Sequence, residues 1–222
     1  MWLTLVLILI FAACLGLLYN EGMWNNALRL INVVTAALLA TNFYEPAATW
    51  LDRNLPSYTY FWDFLALWGL FAAGVTVFRA LTDEVSKVKV RFLHVANRIG
   101  GIFFAVCIAW VLVCFTMMSL HTAPLARNFL FGLFQPEQRM LFGLVPDRQW
   151  LGFVHKLSMG PFRRSATTEE QQQKTYVSDP DAESKYAIFD ENGDFLPKYA
   201  TRRDDFESHI SKYETILVSP QP

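Results

Sequence analysis

From Ile99 to Leu120 the chain runs 22 residues without a single charged side chain. As a helix at about 1.5 Å per residue this stretch reaches about 33 Å, enough to cross a hydrocarbon core of about 30 Å. A helix buried in a soluble core has no need to be this long and apolar on every side. The stretch reads as a transmembrane helix, entered through Asn97-Arg98-Ile99-Gly100-Gly101.

The charge distribution agrees. Of the 19 Lys and Arg and 20 Asp and Glu, residues 1–122 hold 7 and 6, so the remaining hundred residues carry most of both signs. A hydrophobic block precedes a polar extension, and neither half has the basic excess that nucleic acid would require. Cys14, Cys107 and Cys114 fall inside apolar runs with no Cys-x-x-Cys spacing or His cluster nearby, so they read as packing residues and no metal site is expected.

Trp2–Leu18 is a second apolar run with Thr4 its only polar side chain; it has no basic start, so an uncleaved span is expected over a signal peptide. After a polar turn with Glu21 and Gly22, residues 27–43 form the next span, with Arg29 and Asn32 near its beginning and Glu45-Pro46 expected to end it. A third span covers residues 58–78, entered through Tyr58, Tyr60, Phe61 and Trp62, with Asp63 just inside this aromatic belt. With 99–120 as the fourth, residues 1–122 are expected to be a four-helix transmembrane domain.

The connector 79–98 carries five Lys and Arg, whereas the 45–57 loop has only Arg53. By the positive-inside rule the connector is cytoplasmic, which places the C-terminal region outside.

Residues 123–162 mix Phe, Leu and Trp with Pro, Gly and Arg. Within them, Asp147–Met159 carries Trp150, Val154 and Leu157 at helical spacing and reads as an interfacial amphipathic helix on the bilayer or the bundle. Residues 163–222 are a polar, partly flexible tail. In it, Asp190, Asn192 and Asp194 resemble the start of a calcium loop, but Phe195 stands where that loop needs Gly and Thr201 where it needs Glu. A small hairpin turned at Asn192-Gly193, between Ala187–Phe189 and Phe195-Leu196, is the favoured reading. A short charged helix is expected over 201–213.

No phosphate loop, His-Glu-x-x-His or Gly-x-Ser-x-Gly occurs, and the four histidines are scattered. Nothing proposes a reaction, so no catalytic residue and no cofactor is assigned. What remains are polar groups at or near membrane depth, Arg29, Asn32, Asp63 and Arg98. They are interface anchors in one reading and the lining of a polar path in the other. Small residues offer close helix packing: Gly69 and Ala73 (with Gly74) in the third span, and Gly101, Ala105 and Ala109 every fourth residue in the last.

Gly22-x-x-x-x-Ala27-Leu28, followed by Asn97-Arg98-Ile99-Gly100-Gly101-x-x-x-Ala105-x-x-x-Ala109, resembles the colicin V production protein family over residues 3–122. Where the family has a basic residue before Gly22, an Asp at the entry of the last span and later glycines, this chain has Glu21, Asn97, Ala105 and Ala109. Ile108 occupies a position where the family often has Arg. The resemblance implies an integral protein of the bacterial inner membrane, associated with production or export of a peptide toxin, without catalysis or cofactor.

The expected fold class is therefore an all-α membrane protein: four transmembrane helices, interfacial helices and a mostly polar C-terminal extension with a small hairpin. The expected partners are the lipid bilayer and a second copy or another envelope protein. The rival reading is a small transporter or channel subunit with a polar path near Arg29, Asp63 and Arg98.

Overall fold

The computed structural model describes residues 2–55, 59–86, 93–124, 143–165 and 186–218. Among them are six helices and one two-stranded ribbon: α1 (Trp2–Leu18), α2 (Met23–Asn54), α3 (Thr59–Val85), α4 (His94–Thr122), α5 (Pro146–Ser158), β1 (Arg164–Ser165), β2 (Tyr186–Ala187) and α6 (Phe195–Val218). α2, α3 and α4 are long and apolar enough to cross a membrane. α1, at 17 residues, is a shorter apolar helix.

The four N-terminal helices run up and down. α2 pairs with α3 and α4, and α1 lies along α4 alone among its close neighbours. Antiparallel register between α2 and α3 is visible in two contacts. Asn32 donates to Thr82 Oγ1 at 2.9 Å, and a Cβ on Gly74 would touch that of Ala36 at 3.1 Å. The core is built from small residues of α2 (Ala36, Ala37, Ala40) against Leu67, Phe71, Phe115 and Met118. Phe71 and Phe115 stack at 4.6 Å, with Trp68 edge-on to both. Where lipid offers no hydrophobic drive between helices, such close alanine packing is what holds them together. A second, smaller contact joins Leu3 and Leu7 of α1 to Val113 and Met117 of α4.

α1 covers its expected span, whereas α2, α3 and α4 exceed theirs. α2 continues through Pro46 to Asn54, so the anticipated break at Glu45-Pro46 and most of the 45–57 loop are helical. Proline removes one backbone hydrogen bond, but Tyr44 and Ala48 on either side are buried in the core, and packing of this kind carries prolines within membrane helices. At 32 residues α2 is about 48 Å long, more than the thickness of a bilayer core. α3 and α4 likewise extend into the charged connector, to Val85 and back to His94. Lys87, Lys89 and Arg91 lie outside the described residues.

Two further helices close the end of the bundle opposite the α1–α2 turn; this is the cap end below. α5 packs its apolar face onto the bundle. Trp150, Leu151 and Val154 are buried in the main core, Trp150 edge-on to Phe115 at 6.0 Å and donating to Thr41 Oγ1 at 3.2 Å.

The expected hairpin is corrected. Tyr186–Ala187 pairs antiparallel with Arg164–Ser165, not with Phe195-Leu196, which open α6. The turn itself forms, with Gly193 at φ +71°. Asp190 Oδ1 then accepts the N–H of Phe195 at 2.8 Å, and that side-chain acceptor starts a helix where a returning strand was expected. α6 is correspondingly longer than the charged helix expected over 201–213. Phe129, Phe131, Phe134 and Phe142, and residues 166–185 of the polar tail, lie outside the described residues.

Candidate functional site

Polar side chains gather at both ends of the bundle. At the turn end the chain leaves α1 through Tyr19–Gly22 and must restart as α2, whose first N–H groups have no partner within the helix. Gly22, the N-cap, has no side chain to supply one. Asn97, in the first turn of α4, does so from 74 residues away: its Oδ1 accepts the Met23 N–H at 2.9 Å. Asn26 is fully buried and donates to both Leu18 O at 3.1 Å and Gly101 O at 2.9 Å, tying α1, α2 and α4 at one point.

Space decides the glycines here. A Cβ on Gly101 would stand 2.8 Å from the backbone oxygen of Glu21, and one on Gly22 would stand 3.1 Å from Asn97 Oδ1. The turn therefore seats directly on α4. Below it Ala105 and Ala109 are buried and continue the seam. Replacing Asn97 with Ala is expected to cost about 1 kcal/mol, the usual worth of a helix cap, whereas Asp keeps the acceptor and matches the dipole of α2. Thermal unfolding of the detergent-solubilised protein checks this: the Asp variant should unfold at or above the wild-type midpoint and the Ala variant below it.

The charged residues at this end are also engaged. Arg29 pairs with Glu21 at 2.7 Å, and Asn32 holds Thr82. A hydrogen bond from Asn25, together with Arg29, keeps the Glu21 carboxyl below its ordinary range. Arg98 donates to the Tyr19 hydroxyl at 2.8 Å and lies over its ring at 5.5 Å.

Asp63 lies elsewhere. It is buried near the start of α3 at the cap end, and α2 carries Arg29 and Tyr44 about 22 Å apart along its axis. Asp63 Oδ2 accepts from the Tyr199 hydroxyl at 2.8 Å and from Arg202 at 2.7 Å, both on α6. The Tyr199 and Tyr44 hydroxyls are 3.1 Å apart, Tyr44 donates to Glu45 at 3.2 Å, and Lys198 reaches Glu45 at 2.6 Å. Burial pushes the Tyr199 phenol well above its ordinary value, so it stays a donor to Asp63. The structure thus brings Arg29, Asn32 and Arg98 to one end and Asp63 to the other, each with a partner inside the chain.

A third contact pins α5. His121 Nε2 and Asp147 Oδ2, both buried, are 3.1 Å apart. Burial pulls the Asp147 carboxyl upward, but the hydrogen bond and charge of His121 outweigh it and hold it below the ordinary aspartate range. Among the described residues no three His, Cys, Asp or Glu converge as a metal site would need.

Of the small residues, Gly101, Ala105 and Ala109 are consumed inside the chain. Gly69 and Ala73 are exposed on the outward face of α3, and an added Cβ on Gly69 would meet nothing within 4 Å. Gly74, not Gly69, makes the close helix approach. The sequence reading missed Asn26, Tyr44, Tyr199, Arg202 and Asp147. Asn26 was the most accessible of these, a buried-type position at the mouth of an apolar run, while the others depend on contacts more than a hundred residues apart or on how α5 seats.

The residues of the turn-end knot, Gly22, Asn97, Gly100 and Gly101, are those carrying the family pattern. The family model described as colicin V production protein matches residues 3–134. No curated protein and no solved structure matches the chain. The matched region spans the whole four-helix bundle and more than half of the 222 residues, so this membrane protein belongs to the colicin V production protein family.

Proposed function

We propose that the chain is a four-span protein of the bacterial inner membrane that serves peptide-toxin production by assembling with a second copy or an envelope partner, without itself carrying out catalysis. The observation that carries this reading is the division of labour among its small residues. One set closes the bundle on itself, while Gly69 and Ala73 remain on the outward face of α3 where another helix could approach closely. α1, at 17 residues, is at the lower limit for a span and counts as the fourth. The Lys and Arg of the 79–98 connector, counted against the short α2–α3 loop, support an orientation with the α1–α2 turn in the cytoplasm and the cap end, with α5 and α6, outside.

Two measurements test this. A C-terminal reporter active only in the periplasm should be active, and activity of a cytoplasm-only reporter at that terminus would overturn the orientation. In mild detergent the wild type should have a protein mass above the single-chain 25.5 kDa. Gly69→Leu with Ala73→Leu should reduce it to one chain or release a co-purifying partner while leaving helicity intact. An unchanged mass would remove α3 as the assembly face.

A further inference from the structure

The guanidinium of Arg202 sits in a cradle supplied entirely by one turn of α3. Its Nη1 donates to Asp63 Oδ2 at 2.7 Å, its Nη2 donates to the backbone oxygen of Thr59, and its Cζ lies over the Tyr60 ring, 5.7 Å from the centroid. A carboxylate, a carbonyl and an aromatic face set around one planar fork form the combination that selects arginine over lysine. An ammonium is a point charge and cannot satisfy two separately placed acceptors with one plane. Thr59, Tyr60 and Asp63 stand at positions i, i+1 and i+4, so the helix itself fixes the cradle and does not need α6 to shape it.

The bundle also leaves this carboxylate dependent on what is brought to it. With α6 in place Asp63 is buried, and among the described residues both side chains that donate to it come from α6, a separate element of the C-terminal region. With α6 away, the carboxylate of Asp63, the carbonyl of Thr59 and the ring of Tyr60 keep their places on α3 and still present a fork-shaped acidic site to a cation. α6 supplies that cation from its residues 198–202, Lys-Tyr-Ala-Thr-Arg. Of these, Lys198 pairs with Glu45, Tyr199 shares Asp63, and Arg202 fills the cradle. Glu45 and Asp63 together give the surface an acidic character that α6 neutralises.

We infer that Thr59, Tyr60 and Asp63 form an arginine-recognition site at the cap end of the bundle, occupied in cis by Arg202 and open to an arginine of a basic, tyrosine-bearing peptide in trans when α6 lifts. α6 is then the site's own resident ligand, and a basic peptide segment competes with it for the same turn of α3. The inference does not depend on how the bundle assembles.

Vacating the cradle in the full-length chain tests it. In detergent-solubilised Arg202→Ala, methylguanidinium should raise the thermal midpoint by about 2–4 °C at saturation, since a ligand that binds only the folded state stabilises it. The acetylated and amidated peptide Lys-Tyr-Ala-Thr-Arg should do the same at roughly tenfold lower concentration, because it adds the Lys198 and Tyr199 contacts. Neither probe should move the wild type, whose own arginine fills the site, nor the double variant Asp63→Asn/Arg202→Ala. Equal rescue by methylammonium, by a peptide ending in lysine, or in the double variant would overturn the assignment, as would no rescue at all. If Arg202→Ala is recovered poorly, the yield of monodisperse protein purified with and without methylguanidinium is the readout. A higher yield with the probe supports the site, and equal yields overturn it.

Discussion

Gly101→Leu is expected to prevent recovery of a folded, monodisperse protein, whereas Gly100→Ala, one residue away, should be tolerated. The difference lies in what each new side chain would meet. Even the Cβ of an alanine at 101 would come within 2.8 Å of the Glu21 backbone oxygen, and that oxygen belongs to a turn fixed on both sides. Glu21 N–H bonds Leu18 O at 3.1 Å, and Asn26 bonds both Leu18 O and Gly101 O. The turn cannot retreat without releasing the Asn97 cap and the Asn26 bridges together. Overpacking typically costs about 1–3 kcal/mol, and a leucine that also breaks this network should exceed the upper figure. At Gly100 the neighbour is the side chain of Met23, a flexible thioether that can move aside. Gly101→Ala should fall between the two, with a midpoint lowered but folding retained. Equal behaviour of the 100 and 101 variants in detergent thermal unfolding would contradict the seating of the turn on α4.

Removing one partner of the Asp63–Arg202 pair is expected to release α6 from the bundle. Asp63 is buried and Arg202 about a quarter exposed, with side-chain exposures of 11% and 28%. A fully buried pair broken on one side costs about 3–5 kcal/mol, and partial solvent access at Arg202 reduces the expected figure to about 2 kcal/mol. The loss should appear as faster proteolysis between residues 186 and 218, while the transmembrane fragment stays resistant. Arg202→Ala should be the more harmful single change, because it leaves the less exposed charge stranded. Asp63→Leu with Arg202→Leu should restore much of the protection, since replacing both charges removes the unpaired one. Single variants with wild-type proteolysis would mean that Phe195 and Tyr199 hold α6 without the ion pair.

The sequence carried the bundle well and the cap poorly, for physical reasons. Apolar runs of more than twenty residues leave little choice of structure, which is why the helix containing 99–120 and the glycine-rich entry at Gly100-Gly101 were plain. Boundaries were harder. Pro46 looks like a terminator to any local rule, yet Tyr44 and Ala48 are buried on either side and carry α2 onward. Gly69 and Gly74 look equivalent in the sequence, and only the rotation of α3 against Ala36 decides that Gly74 makes the contact. The cap rests on contacts that no local pattern encodes: Tyr199 and Arg202 meet Asp63 across 136 and 139 positions. A polar tail read for composition looks like linker, although Lys198, Tyr199 and Arg202 on one α6 turn match the acidic groups of α2 and α3. Asp63 itself was legible as an intramembrane-type carboxylate; its partners were not.

Release of a colicin V-class peptide into the medium, measured in cells that lack the native chain and carry variants at wild-type abundance, tests the account most directly. If the protein acts by assembly through α3, Gly69→Leu with Ala73→Leu should abolish release, and Arg98→Gln, which alters only the exposed contact with Tyr19, should leave it within about twofold of wild type. Release that survives the α3 pair but fails with Arg98→Gln would contradict assembly and point instead to a polar path through the bundle.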